Sequence, residues 1–175
     1  MNKREINIAL RKTASGDNEA FERLYIETRR GVYSYLFSYF DNDADCEDAM
    51  QDTYLKIKQN ISQYEIGSNG LAWILQIAKN TALNSIRAKK VREKVCLDAV
   101  ETTSDFENYE LKESLIYVMK KTLDEEEQRI LILHAIWGYK HKEIAKIIDK
   151  PIGTVTSKYK RAVDKMKKAW KEEQL

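Results

Sequence analysis

Residues that break regular secondary structure are scarce in this chain of 175 residues: proline occurs once, at Pro151, and glycine six times. An all-β sandwich needs a turn every ten residues or so, which these residues usually supply. Their scarcity therefore favours long helices. No apolar run approaches the roughly eighteen residues of a membrane span. The N-terminus leads into no apolar signal core, so we expect a cytoplasmic protein without membrane insertion.

Residue patterns typical of catalysis or metal binding are also missing. The two cysteines, Cys46 and Cys96, form no Cys-x-x-Cys pair, and we expect both to be reduced thiols. His134 and His141 are seven residues apart and do not match the His-Glu-x-x-His spacing of a zinc site. The sequence contains neither a glycine-rich phosphate loop nor a nucleophile elbow. These absences predict a protein that is not an enzyme and needs no metal or cofactor.

Charge is strongly segregated along the chain, although the net charge is only +2. Residues 41–52 contain six acids and no base, whereas residues 79–94 contain six bases and one acid. Residues 101–127 contain nine acids and three bases, and residues 139–171 contain eleven bases and three acids. Alternating blocks indicate separate surfaces for separate partners. A basic block in each half favours nucleic acid that is contacted at two places.

Apolar periodicity predicts helices in both halves of the chain, with no internal repeat. In the first half, one helix follows Asp17, a second begins within residues 44–47, and a third follows the loop at residues 67–70. In the second half an apolar helical pattern opens at residues 111–119, a further helix begins near residue 124, and two more span residues 140–148 and residues 153 to about 171. Residues 95–106 carry no sustained period. We therefore predict an all-α fold of two small helical domains, residues 1–94 and 107–175, joined by a flexible linker at residues 95–106.

Residues 141–166 have the pattern of a helix-turn-helix. A short apolar helix precedes a turn at Pro151, and a second helix follows with an outer face rich in hydroxyls and bases. A helix fits the major groove of DNA, where its first turns reach base edges. A solvated amphipathic helix would show the same spacing. The candidate DNA contacts on the outer face are Thr154, Thr156, Ser157, Lys158, Lys160 and Arg161.

A second candidate DNA surface lies in the first half. Aromatic rings beside cations and amides suit single-stranded nucleic acid, because unstacked bases stack on the rings while cations follow the phosphates. Trp73 equally fits a core position on an amphipathic helix, and the pattern leaves both interpretations open. The residues concerned are Tyr64, Trp73, Lys79, Asn80, Asn84 and Arg87.

The acidic helix of the first half carries Glu47, Asp48, Gln51 and Asp52. Asp48 and Asp52 are four residues apart and share a helix face. They could ligate the metal of a nuclease, but no histidine or further acid completes such a site. A docking surface for a basic partner is the better interpretation.

Four blocks in this order resemble those of the extracytoplasmic-function sigma factors of bacterial RNA polymerase. They are residues 20–25, residues 46–54, residues 72–80, and residues 142–145 with residues 153–158 and 161–162. The resemblance covers roughly residues 17–168. The main rival is a helix-turn-helix regulator that binds duplex DNA without polymerase, which would leave the two first-half surfaces without a role. A metal-dependent nuclease is the second rival.

The resemblance implies a role for each surface. Glu47, Asp48, Gln51 and Asp52 would dock on a coiled coil of the largest polymerase subunit, and the polymerase flap would be a further contact. The loop at residues 66–70, with Ser68 and Asn69, would join the Trp73 helix in capturing the non-template strand of the −10 element. The second-half helix would read the −35 element. An anti-sigma factor, often membrane-anchored in this family, would hold the protein inactive until an envelope or environmental stress.

Some positions depart from the pattern of many relatives. Asn84 stands where an aspartate is common, and Thr156 stands at a position that is often arginine or aromatic. A threonine cannot make the bidentate guanine contact of arginine. The promoter sequence of a relative therefore cannot be transferred to this chain.

Overall fold

The computed structural model describes residues 1–95 and 115–172, with side chains for residues 1–92 and 115–171. Regular secondary structure in these two ranges is entirely helical, which confirms the predicted all-α fold of two helical domains. The chain divides into two compact units, Met1–Ser104 and Asp105–Leu175. The predicted linker lies almost wholly outside the described residues, so it and the domain limits stay predictions. No helix within the two ranges is long and apolar enough to cross a bilayer.

Within residues 1–95, the first unit has four α-helices and one short turn of 3₁₀ helix. Helix α1 packs against α2 and α4, and α3 packs against α2 and α4, so the apolar stripes of all four helices meet in one core. The elements are α1 (Lys3–Ala14), α2 (Asn18–Phe37), α3 (Asp43–Gln59), the 3₁₀ turn (Ile61–Gln63) and α4 (Gly70–Val95). Fully buried side chains of this core include Leu10, Leu24, Leu36, Ile57, Ile74 and Leu75.

Side-chain caps fix where the first three helices begin. Asn2, Asp17 and Asn42 each accept a hydrogen bond from the backbone N–H three residues further on. Such caps satisfy donors that the first helical turn leaves unpaired. Helix α3 begins at Asp43, one residue before the predicted window.

Helix α1 was not predicted from the sequence. Its twelve residues bury only Ile6, Ala9, Leu10 and Thr13, and charged residues flank this short stripe. A local pattern of this length is too brief to separate a helix from a polar terminus. The capping box between Asn2 and Glu5 is the sequence signal that could have located it.

The second unit contains α5 (Leu115–Thr122), α6 (Glu125–Ala135), α7 (His141–Ile148) and α8 (Ile152–Glu172). Helices α7 and α8 form the predicted helix-turn-helix. Asp149 ends α7 in the left-handed region, at φ 55° and ψ 55°, and donates its backbone N–H to the Ala145 carbonyl. Aspartate is one of the few residues that adopt this conformation readily. The core of the unit includes Val118, Leu123, Ile130, Leu133, Ile144, Val155 and Ala162.

Two aliphatic residues of α3 provide a matched test of the first core. Ile57 is 0% exposed and Leu55 is 55% exposed on the same helix. Ile57→Ala should lower the free energy of unfolding of this unit by about 2–5 kcal/mol, because the truncation leaves a cavity. Leu55→Ala should change it by less than about 0.5 kcal/mol.

The measurement is urea denaturation followed by Trp73 fluorescence, with Trp137 and Trp170 replaced by Phe. The latter two tryptophans belong to the second unit, so the remaining signal reports the first. Equal losses in the two alanine variants would contradict the assignment of Ile57 to the core.

Candidate nucleic-acid interface

The acidic face of α3 is open to solvent. Glu47, Asp48, Gln51 and Asp52 are all exposed, and their spacing places them on one side of the helix. Within residues 1–95, none of these three carboxylates forms an ion pair. Leu55 follows Gln51 by four residues and Asp52 by three, so it lies among them with 55% of its surface exposed. The face therefore has an acidic rim around one exposed leucine.

Leu55 was missed by the sequence analysis. The available signal was its position off the apolar stripe of α3, where Ala49, Tyr54 and Ile57 are buried. A leucine outside the buried stripe of a helix points towards solvent. Its placement among acids is typical of a protein-docking surface, where a small apolar centre is surrounded by charges.

Asp48 and Asp52 lie in no metal-binding cluster. Across the described ranges, no group of three or more histidine, cysteine, aspartate or glutamate side chains is placed to hold a metal ion. The arrangement of α3 thus gives the nuclease hypothesis no support.

Helix α4 aligns four of the candidate single-strand contacts. Trp73, Asn80, Asn84 and Arg87 follow one another at spacings of seven, four and three residues, so they share one helix face. The tryptophan is half-buried, and the other three side chains are exposed. Gln76 lies on the same face and donates a hydrogen bond to the Asn80 side chain at 3.0 Å. Lys79 is half-buried on the neighbouring side of the helix.

Tyr64, just before the loop at residues 66–70, packs beneath the first turn of α4. Tyr64 is only 5% exposed, and its ring centre lies 5.3 Å from that of Trp73. This burial makes Tyr64 a support for the Trp73 ring. Its predicted contact with DNA stays a prediction. Ser68 is half-buried and Asn69 is exposed. Ile66, at 64% exposure, is the most exposed large apolar residue of this loop.

One lysine of the basic block at residues 79–94 is paired inside the unit. The Lys89 ammonium lies 3.0 Å from an Asp45 carboxylate oxygen. Partial burial favours a higher pKa for Asp45, but its hydrogen bonds with Asn42 and Lys89 outweigh that effect and lower the pKa. Arg87, Lys90 and Arg92 are exposed and can face an anionic partner.

Helix α8 presents an exposed polar face in its first turns. Thr156, Ser157, Lys160 and Arg161 are exposed there, and Thr154 is half-buried. The Thr156 hydroxyl donates to the Ile152 carbonyl at 2.9 Å, and the Ser157 hydroxyl donates to the Thr154 carbonyl at 3.0 Å. The Thr156 oxygen also lies 3.3 Å from His141 Nδ1. The Ser157 oxygen keeps its lone pairs for donors on a partner, while the two cations suit phosphate or guanine.

Lys158 lies towards α6 and not on this exposed face. Its ammonium contacts Glu126 at 2.8 Å and Asp124 at 3.2 Å. The hydrogen bonds of Glu126 with Lys158 and Lys150 lower the pKa of this carboxyl. The local spacing of residues predicted Lys158 as a DNA contact, because a local pattern carries no information about acids some thirty residues away. Its contact with DNA remains a prediction, and the ion pairs give it a second role as a link between two helices.

Two family models match the chain, one in each unit. Residues 24–92 match Sigma-70 region 2, and residues 114–166 match Sigma-70, region 4. The first match contains the acidic face, the loop and the α4 face. The second contains the helix-turn-helix.

Curated relatives resemble the chain over most of its length. The sigma-E factors of Salmonella typhimurium and of Escherichia coli K12 are both 28% identical over 170 residues, covering 89% of this chain and 88% of each relative. The sigma-E factor of Haemophilus influenzae is 25% identical over 169 residues, covering 86% of this chain and 87% of the relative. All three are described as extracytoplasmic-function RNA polymerase sigma factors.

Solved structures share the fold. CnrH, in complex with the cytosolic domain of CnrY, superposes with a TM-score of 0.65 at 18% identity, covering 96% of this chain and 98% of CnrH. The sigma factor RpoE of Bartonella quintana, in complex with the anti-sigma factor NepR, also gives 0.65, at 20% identity and 86% and 96% coverage.

A helical unit that matches Sigma-70 region 2, followed by a helix-turn-helix unit that matches region 4, is the arrangement of a sigma factor. The chain belongs to the sigma-70 family, in its extracytoplasmic-function group. Its function is promoter-specific initiation of transcription with bacterial RNA polymerase.

The Lys158 ion pairs predict a pH-dependent stability of the second unit. Lowered carboxyl pKa values add stability that is complete above the ordinary values of 4.5 for Glu126 and 3.8 for Asp124. That stability is lost as the pH falls through the lowered values. Lys158→Met should therefore lower the free energy of unfolding by about 1 kcal/mol at pH 7 and by less at pH 2.

The free energy of unfolding of the second unit is measured by urea denaturation of a chain in which Trp73 is replaced by Phe. The fluorescence then comes from Trp137 and Trp170 of the second unit. Lys160→Met is the matched control, since Lys160 is exposed on the same helix. A Lys158→Met effect of equal size at both pH values would contradict the ion-pair explanation.

Proposed function

We propose that three surfaces of this chain divide the work of promoter recognition. The α3 face would bind core polymerase, the loop at residues 66–70 and the α4 face would capture the −10 strand, and the exposed face of α8 would read the −35 element. The observation that carries this proposal is the exposed acidic face in the same unit as an aromatic and amide face. A regulator that binds only duplex DNA needs neither.

Docking on polymerase would combine charge with a small apolar contact. Acids around Leu55 attract a basic partner and accelerate encounter, while burial of the leucine holds the complex together. The coiled coil of the largest polymerase subunit is the partner that the family suggests. A contact of the second unit with the polymerase flap belongs to the same proposal.

Capture of the −10 element would use single-stranded DNA. A base that has left the duplex can stack on the half-buried Trp73 ring, which Tyr64 supports from below. Ser68 and Asn69 of the loop would bond to an extruded base, and Asn80, Asn84 and Arg87 would follow the strand along α4. Stacking on an aromatic ring contributes about 1–3 kcal/mol per base, which offsets part of the cost of melting.

Recognition of the −35 element would place the first turns of α8 in the major groove. Arg161 and Lys160 would supply contacts to guanine or phosphate, and Thr154, Thr156 and Ser157 would supply shorter polar contacts. Lys158 would contact phosphate only if it left its acidic partners. This difference predicts that Arg161 carries more sequence information than Lys158.

The protein would act through binding free energy and not through catalysis, in the cytoplasm, where its polymerase partner resides. Each DNA contact is small, so the isolated chain would bind promoters weakly. Polymerase would hold both units on one molecule of DNA and raise their effective concentration at the second site.

An anti-sigma factor is the proposed regulator. The structural relatives CnrH and RpoE were both solved with a second protein, the cytosolic domain of CnrY and the anti-sigma factor NepR. A regulator of this kind would cover the surfaces that polymerase and promoter need, and release them under stress.

Run-off transcription tests the proposed function. Core polymerase from the source bacterium and a promoter library randomised at both elements should yield transcripts of defined start only when this chain is added. Binding to duplex DNA without initiation would support the regulator alternative and overturn the sigma assignment. Metal-dependent cleavage of the template that Asp52→Ala abolishes would support a nuclease.

Charge reversal tests the docking face. Asp48→Lys combined with Asp52→Lys should weaken binding to core polymerase by about ten-fold or more, which corresponds to about 1.4 kcal/mol. Leu55→Ala should weaken it as well while leaving the fold intact. Glu22→Lys, at an exposed acid of α2, is the control and should bind as the wild type does. Unchanged affinity of the double variant in pull-down titrations would remove the docking assignment.

Arg161→Ala tests the α8 face. Loss of a base contact should weaken binding to the preferred −35 duplex by about 1–3 kcal/mol and relax the preference at one base pair. Lys167→Ala, further along α8 and exposed, should leave that preference unchanged. A uniform loss over all sequences, with the salt slope reduced by about one unit, would make Arg161 a phosphate contact instead.

A further inference from the structure

The loop that precedes α4 is held by a residue more than sixty positions upstream. The Asn7 side chain donates its amide N–H to the Ser68 carbonyl at 3.0 Å. Its carbonyl oxygen accepts the Gly70 backbone N–H at 2.9 Å. One side chain of α1 thus bonds to both ends of the three-residue segment 68–70.

The Gly70 N–H would otherwise lack a partner in its helix. Gly70 is the first residue of α4, and the first amides of a helix have no acceptor in the preceding turn. Asn69 caps the helix from the other side, where its side chain accepts the Ala72 N–H at 3.2 Å. The start of α4 and the shape of the loop are therefore set by two asparagines, of which Asn7 belongs to another helix.

A glycine leaves room for the approach of α1 to the loop. A Cβ atom at residue 70 would lie 2.5 Å from Leu10 Cδ1 and 2.6 Å from Asn7 Oδ1. A side chain there would force the ends of the Leu10 and Asn7 side chains to move, so Gly70 favours the Asn7 hydrogen bonds. The Tyr64 hydroxyl donates to the same Ser68 carbonyl at 3.4 Å. Two polar groups and a close backbone contact converge on this short segment.

We propose that Asn7 is a positioning residue that sets which −10 base the loop accepts. This inference rests on the proposed capture of single-stranded DNA by residues 66–70. Base discrimination needs hydrogen-bonding groups held in one geometry. The loop is largely exposed and has few buried contacts of its own, so its Ser68 and Asn69 groups gain a fixed position from Asn7. Helix α1 lies outside the residues matched by Sigma-70 region 2, which begin at residue 24.

The test measures base selectivity with polymerase holoenzyme. Holoenzymes carrying the wild-type chain, Asn7→Ala or Asn7→Asp are titrated with forked DNA probes that differ in single bases of the preferred −10 strand. In Asn7→Ala, the preference for the best base over the others should fall by about five- to ten-fold, since a hydrogen bond contributes roughly a factor of ten at most. Affinity for core polymerase and for the −35 duplex should not change. Equal weakening on every probe, or an unchanged preference, would overturn the proposal.

Hydrogen exchange separates positioning from general stability. The Gly70 amide should exchange at least ten-fold faster in Asn7→Ala, while amides of the α2 and α3 core keep their wild-type rates. Asn7→Asp retains an acceptor for the Gly70 N–H but cannot donate to the Ser68 carbonyl. It should therefore protect Gly70 and still lose base preference, and a wild-type preference in this variant would also overturn the proposal. Asn18→Ala, at an exposed asparagine of α2, is the control.

Different results would refute the proposed role of the loop and the proposed role of Asn7. A wild-type holoenzyme without any base preference on the forked probes would refute the proposed role of the loop. A clear wild-type preference that Asn7→Ala and Asn7→Asp both retain would refute only the role of Asn7. Should Asn7→Ala fail to fold, Asn7→Asp alone decides, because it keeps the bond to the start of α4.

Discussion

Burial of one face of each amphipathic helix is the constraint on which the rest of this structure depends. Each α-helix of the described ranges buries apolar residues within its own unit, so the opposite faces are left largely for charges and amides. On α3 that outer face is acidic, and on α4 and α8 it is basic and polar. A net charge of +2 is thus the sum of surfaces of opposite charge.

Local periodicity was sufficient to predict the all-α fold, α2 to α4 and the helix-turn-helix, because each depends on residues three and four positions apart. The exposed faces could be predicted for the same reason. Contacts between distant segments could not. The bonds from Asn7 to the loop and from Lys158 to the acids of α6 join residues 30 or more positions apart, and no local pattern encodes them. Helix α1 was missed because its apolar stripe is short.

The ion pairs of Lys158 and the acidic face of α3 have different consequences for the proposed function. The Lys158 pairs satisfy a cation within the second unit, which reduces the charge that α8 can offer to a partner but ties α8 to α6. The acidic face of α3 forms no ion pair within residues 1–95, so its charge remains available to a partner. Position along a helix therefore does not by itself decide whether a charged side chain serves the fold or the interface.

The dependence of the loop on α1 limits how the molecule can be recombined. Under the proposed role of the loop, a chimera that exchanges only residues 66–70 with those of another sigma factor would receive a new loop sequence without the Asn7 side chain that bonds to it here. A functional exchange would require α1 and the loop to be transferred together. They form one discontinuous module, whose two parts are joined by the side-chain amide of Asn7.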